Sequence, residues 1–506
     1  MQQLKERILR EGRVLPGNII KVDGFLNHRV DTALMRDLAD EFAKYFDVKN
    51  ITMVLTAEAS GIALATICAE RYGVPMVFAK KAKSDNIEGG LYQSDIFSYT
   101  YKKKVTLLVS QDWITKDDKV LIIDDFMAKG YAMRGLIDIV NKAGAQLAGI
   151  AAAAYENGNA DYIATAKRWW DDMAGKKLFV TGGVGAVHFD EKFGHDYYLP
   201  TDAYLETCAA VGVGFFSQAM NQLTGDAKYM DEFERALYNN VLAGVAASGR
   251  QYTYQNPLNT DRSERWEWHP CPCCPPMFLK IVSATPEFIY ARDDRTVYVN
   301  LFIGSDADIA LGDMQVHVRQ QTRYPVDGKV VLTLTPEKAA RFTVKVRIPG
   351  WARGEENPFG LYVSESPAAP VLSVNGTPVE IRLDKGYALL DRVWNPADRI
   401  VLELPVAPRL VRAHKAAREL DGMATIAAGP LVYCIEQADN ADYARLRLDT
   451  AGSMELGYRS DLMDGTPVIT GTAIDGKGAK STFTAIPYYA FGNRGNGGYR
   501  VWLPTR

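Results

Sequence analysis

The sequence predicts a multidomain protein in which an α/β region, an all-α region and an all-β region follow one another. Three observations predict this order. Strand-like and helix-like segments alternate over 1–155, helical patterns cover 158–290, and apolar residues recur at every second position through much of 291–506. The length of 506 residues is too great for one ordinary core and also indicates several domains.

The composition is that of an ordinary globular protein. Apolar residues make up 47% and charged residues 24% of the chain, and the net charge is -3. Because there is no excess positive charge, we expect neither a nucleic-acid partner nor an anionic membrane surface. No apolar run reaches the roughly 18–20 residues of a membrane span, and the opening residues have no signal-peptide core. We therefore expect a cytoplasmic protein with reduced cysteines.

The α/β region, 1–155, is predicted to form a parallel or mixed sheet with helices on both faces. Short apolar runs typical of buried strands alternate with stretches typical of helices. The predicted helices are 35–46, 61–73 and 132–145, and the predicted strands are 51–56, 75–81, 103–110, 119–125 and 147–156.

The first candidate site lies in VLIIDDFMAKGYA, residues 120–132. Asp124 and Asp125 end a predicted buried strand, and a loop with Gly130 leads into the next helix, where backbone N–H groups can hold a phosphate. A second strand-to-helix turn, TAEASGIALA, contains Gly61 and suits a diphosphate. The alternative for each turn, taken alone, is an ordinary loop with a helix cap that binds no ligand.

These motifs belong to a longer resemblance. KVDGFLNHRVD (21–31), SGIA (60–63), VFAKK (77–81) and IIDDFMAKG (122–130) occur in order, and with them the α/β region resembles the xanthine phosphoribosyltransferases, which are type I phosphoribosyltransferases. The resemblance implies that xanthine and phosphoribosyl diphosphate are converted to xanthosine monophosphate and diphosphate. It also implies Mg²⁺ bound with phosphoribosyl diphosphate and a homodimer formed through this domain.

The same resemblance assigns residues to the substrates. Asp124 and Asp125 would hold the ribose, and Ile20 and Asn27 would contact the purine. The 5′-phosphate loop would consist of Ala128, Lys129, Gly130, Tyr131 and Ala132. Residues 82–102 are either a loop that closes over the site or a plain surface hairpin. The sequence departs from the family at Asn157, where the family has a lysine, and the end of the family's sheet is missing.

The all-α region, 158–290, has room for four to six helices, and the region after it is predicted to be sandwich-like. KLFVT (177–181) is the one possible strand among the helices. The predicted helices are 160–175, 202–225, 228–246 and 275–292, and the period-two runs are 296–304, 314–324, 329–336, 341–352, 388–394 and 399–406.

Three of the six cysteines crowd into HPCPCCPPMF, residues 269–278. In a reducing compartment such a cluster indicates a metal site or catalysis. Zn²⁺ accepts thiolates together with a carboxylate, and YLETCAA supplies further ligands near a predicted helix start. The candidate set is Glu206, Cys208, Cys273 and Cys274. The alternative is that the cysteines are small apolar core residues, as we expect for Cys68 and Cys434.

A second resemblance extends this interpretation. KKLFVTGGVGAVHFDEKFG (176–194), YLETCAAVG (204–212), CPCCPP (271–276) and AAGPLVYCIE (427–436) occur in order, and with them residues 158–506 resemble glycoside hydrolase family 127, the β-L-arabinofuranosidase type. The resemblance implies Zn²⁺ at the four candidate ligands, Cys273 as the nucleophile and Glu191 as the general acid/base. His188, His195 and His269 could bind sugar hydroxyls, and Cys271 has no assigned role.

The second resemblance is also incomplete. The family's catalytic domain is an (α/α)₆ barrel, and half of its helices have no counterpart here. The simplest explanation is a fusion of two truncated genes, with exposed apolar helix faces where helices are missing. Three functions remain open: a purine phosphoribosyltransferase fused to a truncated glycosidase, a zinc-thiolate glycosidase acting on arabinofuranosides, and an inactive or regulatory nucleotide-binding fusion.

Overall fold

The computed structural model divides the chain into two compact units, Met1–Ala164 and Thr165–Arg506. The structure describes residues 4–506 except 5–6, 8–9, 12, 16–18, 82–89, 99–102, 126–130, 153–159 and 366–367. The predicted boundary between 155 and 158 lies outside the described residues, so the predicted domain bounds stay predictions.

The first unit is built on a four-stranded parallel sheet, as the alternating pattern predicts. Its strand order is β4-β3-β7-β8. The strands are β1 (Arg13–Leu15), β2 (Ile19–Lys21), β3 (Met53–Ala57), β4 (Met76–Ala79), β5 (Leu91–Ser98), β6 (Lys103–Ser110), β7 (Lys119–Asp124) and β8 (Gln146–Ala152), and the helices are α1 (Thr32–Phe42), α2 (Gly61–Tyr72) and α3 (Tyr131–Lys142). The first helix, predicted over 35–46, instead begins at Thr32 and ends at Phe42.

Both faces of this sheet are covered, because alternate strand residues enter different cores. Val54 and Leu121 pack with α1 and α2, whereas Leu55 and Ile122 pack with α3 and the β5–β6 hairpin. This period of two is the one expected of a strand buried on both sides. The carboxyl ends of β3 and β7 therefore meet at one edge, where α2 and α3 begin.

Four α-helices lie between residues 160 and 290, all of which the structure describes, in agreement with the predicted four to six. They are α4 (Ala160–Lys176), α5 (Thr207–Thr224), α6 (Ala227–Ala236) and α7 (Cys274–Phe288). A π-helical turn, Leu237–Val241, continues α6. The predicted helix over 275–292 is wrong at its end, since residues 290–292 form a strand that pairs with the next one along the chain.

The prediction of a strand at KLFVT is also wrong. Residues 177–181 form no strand, and Leu178, Phe179 and Val180 are buried in the core between the helices and the C-terminal sheet. A short apolar run has the same pattern in a buried loop as in a buried strand.

The helices carry exposed apolar side chains, as expected if covering helices are missing. Trp169 of α4 is 69% exposed and Leu279 of α7 is 63% exposed, and Leu223 of α5 and Val282 of α7 are exposed as well. Such surface is unusual on a helix that faces only water.

The middle of the second unit is a β-sandwich. A five-stranded sheet, β10-β11-β15-β20-β19, packs on a six-stranded sheet, β12-β13-β14-β21-β17-β18, and their inward residues share one apolar core. The strands between residues 259 and 403 are β9 (Asn259–Thr260), β10 (Tyr290–Arg292), β11 (Thr296–Val299), β12 (Ser305–Leu311), β13 (Met314–Thr322), β14 (Lys329–Pro336), β15 (Ala340–Arg347), β16 (Tyr362–Ser364), β17 (Val371–Val374), β18 (Thr377–Pro378), β19 (Leu383–Asp384), β20 (Tyr387–Trp394) and β21 (Asp398–Glu403). Of these, β9 and β16 belong to the sheet formed by the last part of the chain, and the others form the sandwich.

The last part of the chain forms a larger sheet that supports the helices. Its central strands run β22-β23-β24-β28-β27, and residues of β24 and β28 share a core with α4, α5 and α6. The strands are β22 (Pro408–Ala413), β23 (Met423–Ala428), β24 (Leu431–Glu436), β25 (Arg447–Leu448), β26 (Met454–Arg459), β27 (Thr466–Ile474), β28 (Lys480–Pro487), β29 (Tyr499–Arg500) and β30 (Leu503–Pro504).

Buried ion pairs fix α6 against the sandwich. The guanidinium of Arg347, at the end of β15, lies 2.5 Å from Glu234 Oε1 and 2.7 Å from Asp231 Oδ1. Arg347 and Glu234 are both buried, so breaking this pair would cost about 3–5 kcal/mol.

In the described part of the chain, no helix has both the length and the apolar character that a membrane crossing requires.

Candidate active site

The four side chains predicted as metal ligands converge in the structure. The candidate ligand atoms of Glu206, Cys208, Cys273 and Cys274 all lie within 4.8 Å of one another. The Sγ of Cys274 is 3.5 Å from the Sγ of Cys208 and 3.7 Å from that of Cys273, and the Sγ of Cys273 is 3.2 Å from Glu206 Oε1.

These distances fit a tetrahedral zinc site. Zinc–sulfur bonds of about 2.3 Å at the tetrahedral angle place two sulfurs roughly 3.8 Å apart, and a sulfur and a carboxylate oxygen roughly 3.6 Å apart. The sulfur–sulfur distances of 3.5 and 3.7 Å are slightly shorter than the first value, and the sulfur–oxygen distances of 3.2 and 3.9 Å lie on either side of the second. Three thiols and one carboxylate are also a donor set that suits zinc.

The thiols of Cys208 and Cys273 are held in their neutral form when no cation is present. Burial raises the pKa of Cys273 to about 12, and the hydrogen bond to the Cys274 thiol, together with burial, raises the pKa of Cys208 above its usual range. A bound cation would reverse this, because metal ligation deprotonates a thiol outright.

Two helix starts bring the ligands together. Glu206 immediately precedes α5, and Cys273 immediately precedes α7, whose first turn accommodates Pro275 and Pro276. The two helices can pack closely because a Cβ added at Gly214 of α5 would lie 2.6 Å from Ile281 Cδ1 of α7.

Asn256 is a supporting residue that the sequence analysis missed. Its side-chain amide donates to the Leu205 carbonyl at 2.9 Å and to the Thr207 hydroxyl at 2.9 Å, and its backbone N–H donates to the Tyr204 carbonyl at 3.1 Å. Asn256 is fully buried. It therefore fixes the backbone on both sides of Glu206, where Leu205 adopts the left-handed region with φ 45°.

Glu191, predicted as the general acid/base, lies in a short 3₁₀ turn, Phe189–Glu191. Although the residue is exposed, its Oε1 accepts hydrogen bonds from the hydroxyls of Tyr204 at 2.9 Å and Tyr254 at 3.2 Å. Tyr204 and Tyr254 also belong to the buried cluster against which Cys273 packs. The candidate acid/base and the candidate nucleophile thus contact one group of side chains, and neither tyrosine was singled out from the sequence.

The histidines occupy different places. His269 stacks on Tyr254 with ring centroids 4.6 Å apart, and His188 meets Tyr204 edge-on at 5.5 Å. The ring of His195 contacts Tyr198, and its described ring contacts do not include Tyr204 or Tyr254. Sugar binding by the three histidines stays a prediction.

Cys271 is exposed, and its Sγ lies 3.9 Å from the Tyr254 hydroxyl, outside the four-ligand cluster.

The first unit places Asp124 and Asp125 at the predicted sheet edge. Both are buried, and Asp125 Oδ1 accepts a hydrogen bond from the Ser60 hydroxyl at 3.0 Å. Burial, followed by the charge of Asp125, raises the pKa of Asp124 well above its usual range. A Cβ added at Gly61 would lie 2.4 Å from Thr56 Oγ1 and 2.5 Å from Asp124 Oδ1, so a larger residue at the start of α2 would have to displace these two buried side chains.

Much of the predicted phosphoribosyl-diphosphate site falls outside the described residues. This applies to Ala128, Lys129 and Gly130 and to residues 82–89 and 99–102 of the candidate lid. Ile20 lies in β2, Asn27 in a π-helical turn, and Tyr131 and Ala132 in the first turn of α3. The described part of the candidate lid, from Leu91 onward, is one strand of the β5–β6 hairpin.

Comparison with known proteins places the chain. Models of the β-L-arabinofuranosidase GH127 catalytic domain, the GH127 middle domain and the family 127 C-terminal domain match residues 29–287, 296–406 and 408–504. The chain belongs to glycoside hydrolase family 127. Within this family 127 chain, an N-terminal segment also matches xanthine phosphoribosyltransferases.

This family 127 chain is similar to known β-L-arabinofuranosidases over about two thirds of its length. It is 33% identical over 386 residues to a non-reducing end β-L-arabinofuranosidase of Bifidobacterium longum subsp. longum, covering 68% of this chain and 56% of that protein. The structure of a GH127 β-L-arabinofuranosidase from Geobacillus stearothermophilus T6 matches with a TM-score of 0.65 and 34% identity, covering 70% of this chain and 58% of that one. The chain thus spans little more than half the length of these relatives.

The N-terminal relatives are covered more completely. A xanthine phosphoribosyltransferase of Ruminiclostridium cellulolyticum is 49% identical over 153 residues, which is 30% of this chain and 80% of that protein. The two resemblances stated from sequence motifs are therefore confirmed.

Proposed function

We propose that the second unit is a retaining, zinc-dependent glycoside hydrolase that acts on β-L-arabinofuranosides, with Cys273 as the nucleophile and Glu191 as the general acid/base. The observation that carries the proposal is the convergence of three cysteines and Glu206 within 4.8 Å, beside the buried tyrosine cluster whose Tyr204 and Tyr254 hydroxyls donate to Glu191. The Bifidobacterium and Geobacillus relatives, named as β-L-arabinofuranosidases, support the sugar assigned here.

Zn²⁺ held by Glu206, Cys208, Cys273 and Cys274 would supply the charge that keeps the Cys273 sulfur deprotonated at neutral pH. The sulfur of Cys273 attacks the anomeric carbon, and the bond to the leaving oxygen breaks as Glu191 protonates that oxygen. Glu191 then takes a proton from water, whose oxygen displaces the sulfur from the same carbon. Two displacements retain the configuration.

Turnover of 4-nitrophenyl β-L-arabinofuranoside by the full chain tests this proposal. Cys273→Ala should reduce turnover by at least about 10³-fold, because covalent catalysis is lost. The matched control is Cys271→Ala, which removes an exposed thiol two residues away and should keep most of the activity. Proton NMR of the first-formed sugar should show the β-anomer. Inversion, or equal activity in the two variants, would refute the assignment of Cys273.

A second candidate function belongs to the first unit: xanthine phosphoribosyl transfer. Its support is the pair of buried carboxylates at the carboxyl end of β7, where Asp125 Oδ2 has no hydrogen-bond partner in the described structure. Ribose hydroxyls or a cation would satisfy such an oxygen. This proposal includes Mg²⁺ bound with phosphoribosyl diphosphate, purine contacts at Ile20 and Asn27, the 128–132 phosphate loop and a homodimer.

Diphosphate release from phosphoribosyl diphosphate, with and without xanthine, tests the second candidate. Xanthine-dependent release that is lost in Asp125→Ala but kept in Asp117→Ala, an exposed carboxylate on the loop before β7, would support it. Binding of phosphoribosyl diphosphate without turnover would instead support a nucleotide-binding fusion without transferase activity.

A further inference from the structure

One carboxylate oxygen of Glu191 carries both of its described hydrogen bonds. The Tyr204 and Tyr254 hydroxyls donate to Oε1 at 2.9 and 3.2 Å. Two O–H donors on one oxygen hold it as an acceptor, so a proton placed on Oε1 would face two other hydrogens. The position left for the acid proton is Oε2.

The two tyrosines are themselves fixed. Tyr204 is 7% exposed and Tyr254 is 6% exposed, and their rings meet edge-on with centroids 6.0 Å apart. Tyr204 is supported on another side by His188, whose Nε2 lies 2.9 Å from the Asp202 carbonyl oxygen. His269 stacks on Tyr254. The donors therefore keep their directions while Glu191 faces solvent.

The backbone of Glu191 lies in a tight turn with an unfavourable conformation. Glu191 adopts φ 51°, a left-handed conformation that costs an L-residue other than glycine free energy. One bridge closes the turn, in which the Val187 N–H donates to the Lys192 carbonyl at 3.0 Å. The side-chain hydrogen bonds are needed to aim an exposed carboxylate from such a turn.

We propose that Tyr204 is a positioning residue that, together with Tyr254, turns Glu191 so that Oε2 carries the proton of the glycosidase reaction. This rests on the function proposed for the second unit. In the first step the Oε2–H bond breaks, the proton passes to the leaving oxygen, and that oxygen keeps the electron pair of the broken glycosidic bond. In the second step Oε2 takes a proton from water as the water oxygen bonds to the anomeric carbon, and the sulfur of Cys273 regains its electron pair.

A positioning role can be separated from a structural one through the leaving group. A good leaving group such as 4-nitrophenolate departs without a proton, whereas methoxide needs one from the acid. Loss of the Tyr204 hydroxyl should therefore lower kcat/KM about tenfold for methyl β-L-arabinofuranoside and less than about twofold for the 4-nitrophenyl glycoside. A damaged fold would lower both values equally.

The experiment measures kcat/KM of the full chain with both glycosides for the wild type, Tyr204→Phe and Tyr252→Phe. Tyr252 is the matched control, because it lies in the same buried cluster while its hydroxyl accepts from the His269 N–H at 2.8 Å instead of contacting Glu191. The ratio of the two kcat/KM values should change in Tyr204→Phe only. Bound zinc per chain and the melting temperature of each variant are measured alongside.

A double variant completes the test. If Tyr204 acts through Glu191, adding Tyr204→Phe to Glu191→Gln should leave the ratio of the two kcat/KM values unchanged. An unchanged ratio in Tyr204→Phe alone, with turnover that still depends on Cys273 and Glu191, overturns the positioning role and leaves the proposed function intact. Absence of any turnover by the zinc-loaded wild type overturns both.

Discussion

The Sγ atoms of Cys208 and Cys274 lie 3.5 Å apart, although the two residues are 66 positions apart in the chain. The contact exists because α5 and α7 start side by side and pack closely at Gly214. Two helix starts on one scaffold can hold thiols more rigidly than a loop can. The same arrangement explains why a carboxylate just before α5 completes the set.

Zinc binding should follow this geometry. We expect about one zinc ion per chain, and at least about tenfold weaker binding in Cys208→Ser or Cys274→Ser, since each removes one ligand of four. Cys271→Ser is the control and should bind as the wild type does. Metal analysis after dialysis, with competition by a chelator, measures this. Equal zinc retention in all three variants would contradict the four-ligand site.

The reactivity of Cys273 in the metal-free chain should depend steeply on pH. Burial raises the pKa of its thiol to about 12, and only the thiolate reacts with iodoacetamide. The neutral form therefore persists far above the usual thiol range, and the alkylation rate should rise about tenfold per pH unit between pH 7 and 10. Mass spectrometry of the 269–278 peptide in a Cys271→Ser background measures the rate. An alkylation rate that stops rising below pH 9 would contradict the prediction, because it would show that the thiol pKa is lower than the value expected from burial.

The sequence was sufficient for elements whose pattern is local. The strands β3 and β7 read as short apolar runs, and the four ligands stand in motifs with recognisable spacing. The contacts around Glu191 were not accessible in this way. Tyr204 lies inside a quoted motif, yet nothing local indicates that its hydroxyl reaches a carboxylate 13 positions earlier.

The contacts of Asn256, which stabilise the fold, could not be predicted from the local sequence either. A buried asparagine is identified by the partners that satisfy it, and these come from the backbone and side chains around Glu206, some 50 residues earlier. The prediction of a strand at KLFVT was wrong for a related reason. Leu178, Phe179 and Val180 are buried in a loop, and this burial explains the apolar pattern without any neighbouring strand. A local sequence pattern indicates that a segment is buried but does not identify the element that the segment packs against.

Replacing Asn256 should destabilise the second unit and loosen the metal site. Asn256→Ala removes the donor to the Leu205 carbonyl and the Thr207 hydroxyl, and buried groups left without partners cost about 1–3 kcal/mol each. We expect a lower melting temperature together with weaker zinc binding. Gln255→Ala, at the exposed neighbouring position, should change the free energy of unfolding by less than about 0.5 kcal/mol. Equal melting temperatures for the two variants would contradict the anchoring role.

The exposed faces of the helices should make the chain associate with itself. Leu279 and Val282 lie one turn apart on α7 and are both exposed, and burying each against another apolar surface is worth about 1.5–3 kcal/mol. The double variant Leu279→Glu, Val282→Glu should therefore weaken association at least about tenfold, as measured by sedimentation or light scattering over a range of concentrations. Val371→Glu, at an exposed apolar position on the sandwich, is the control and should associate as the wild type does. A wild-type chain that stays a 56.0 kDa monomer at all concentrations would show that these faces attract no second copy.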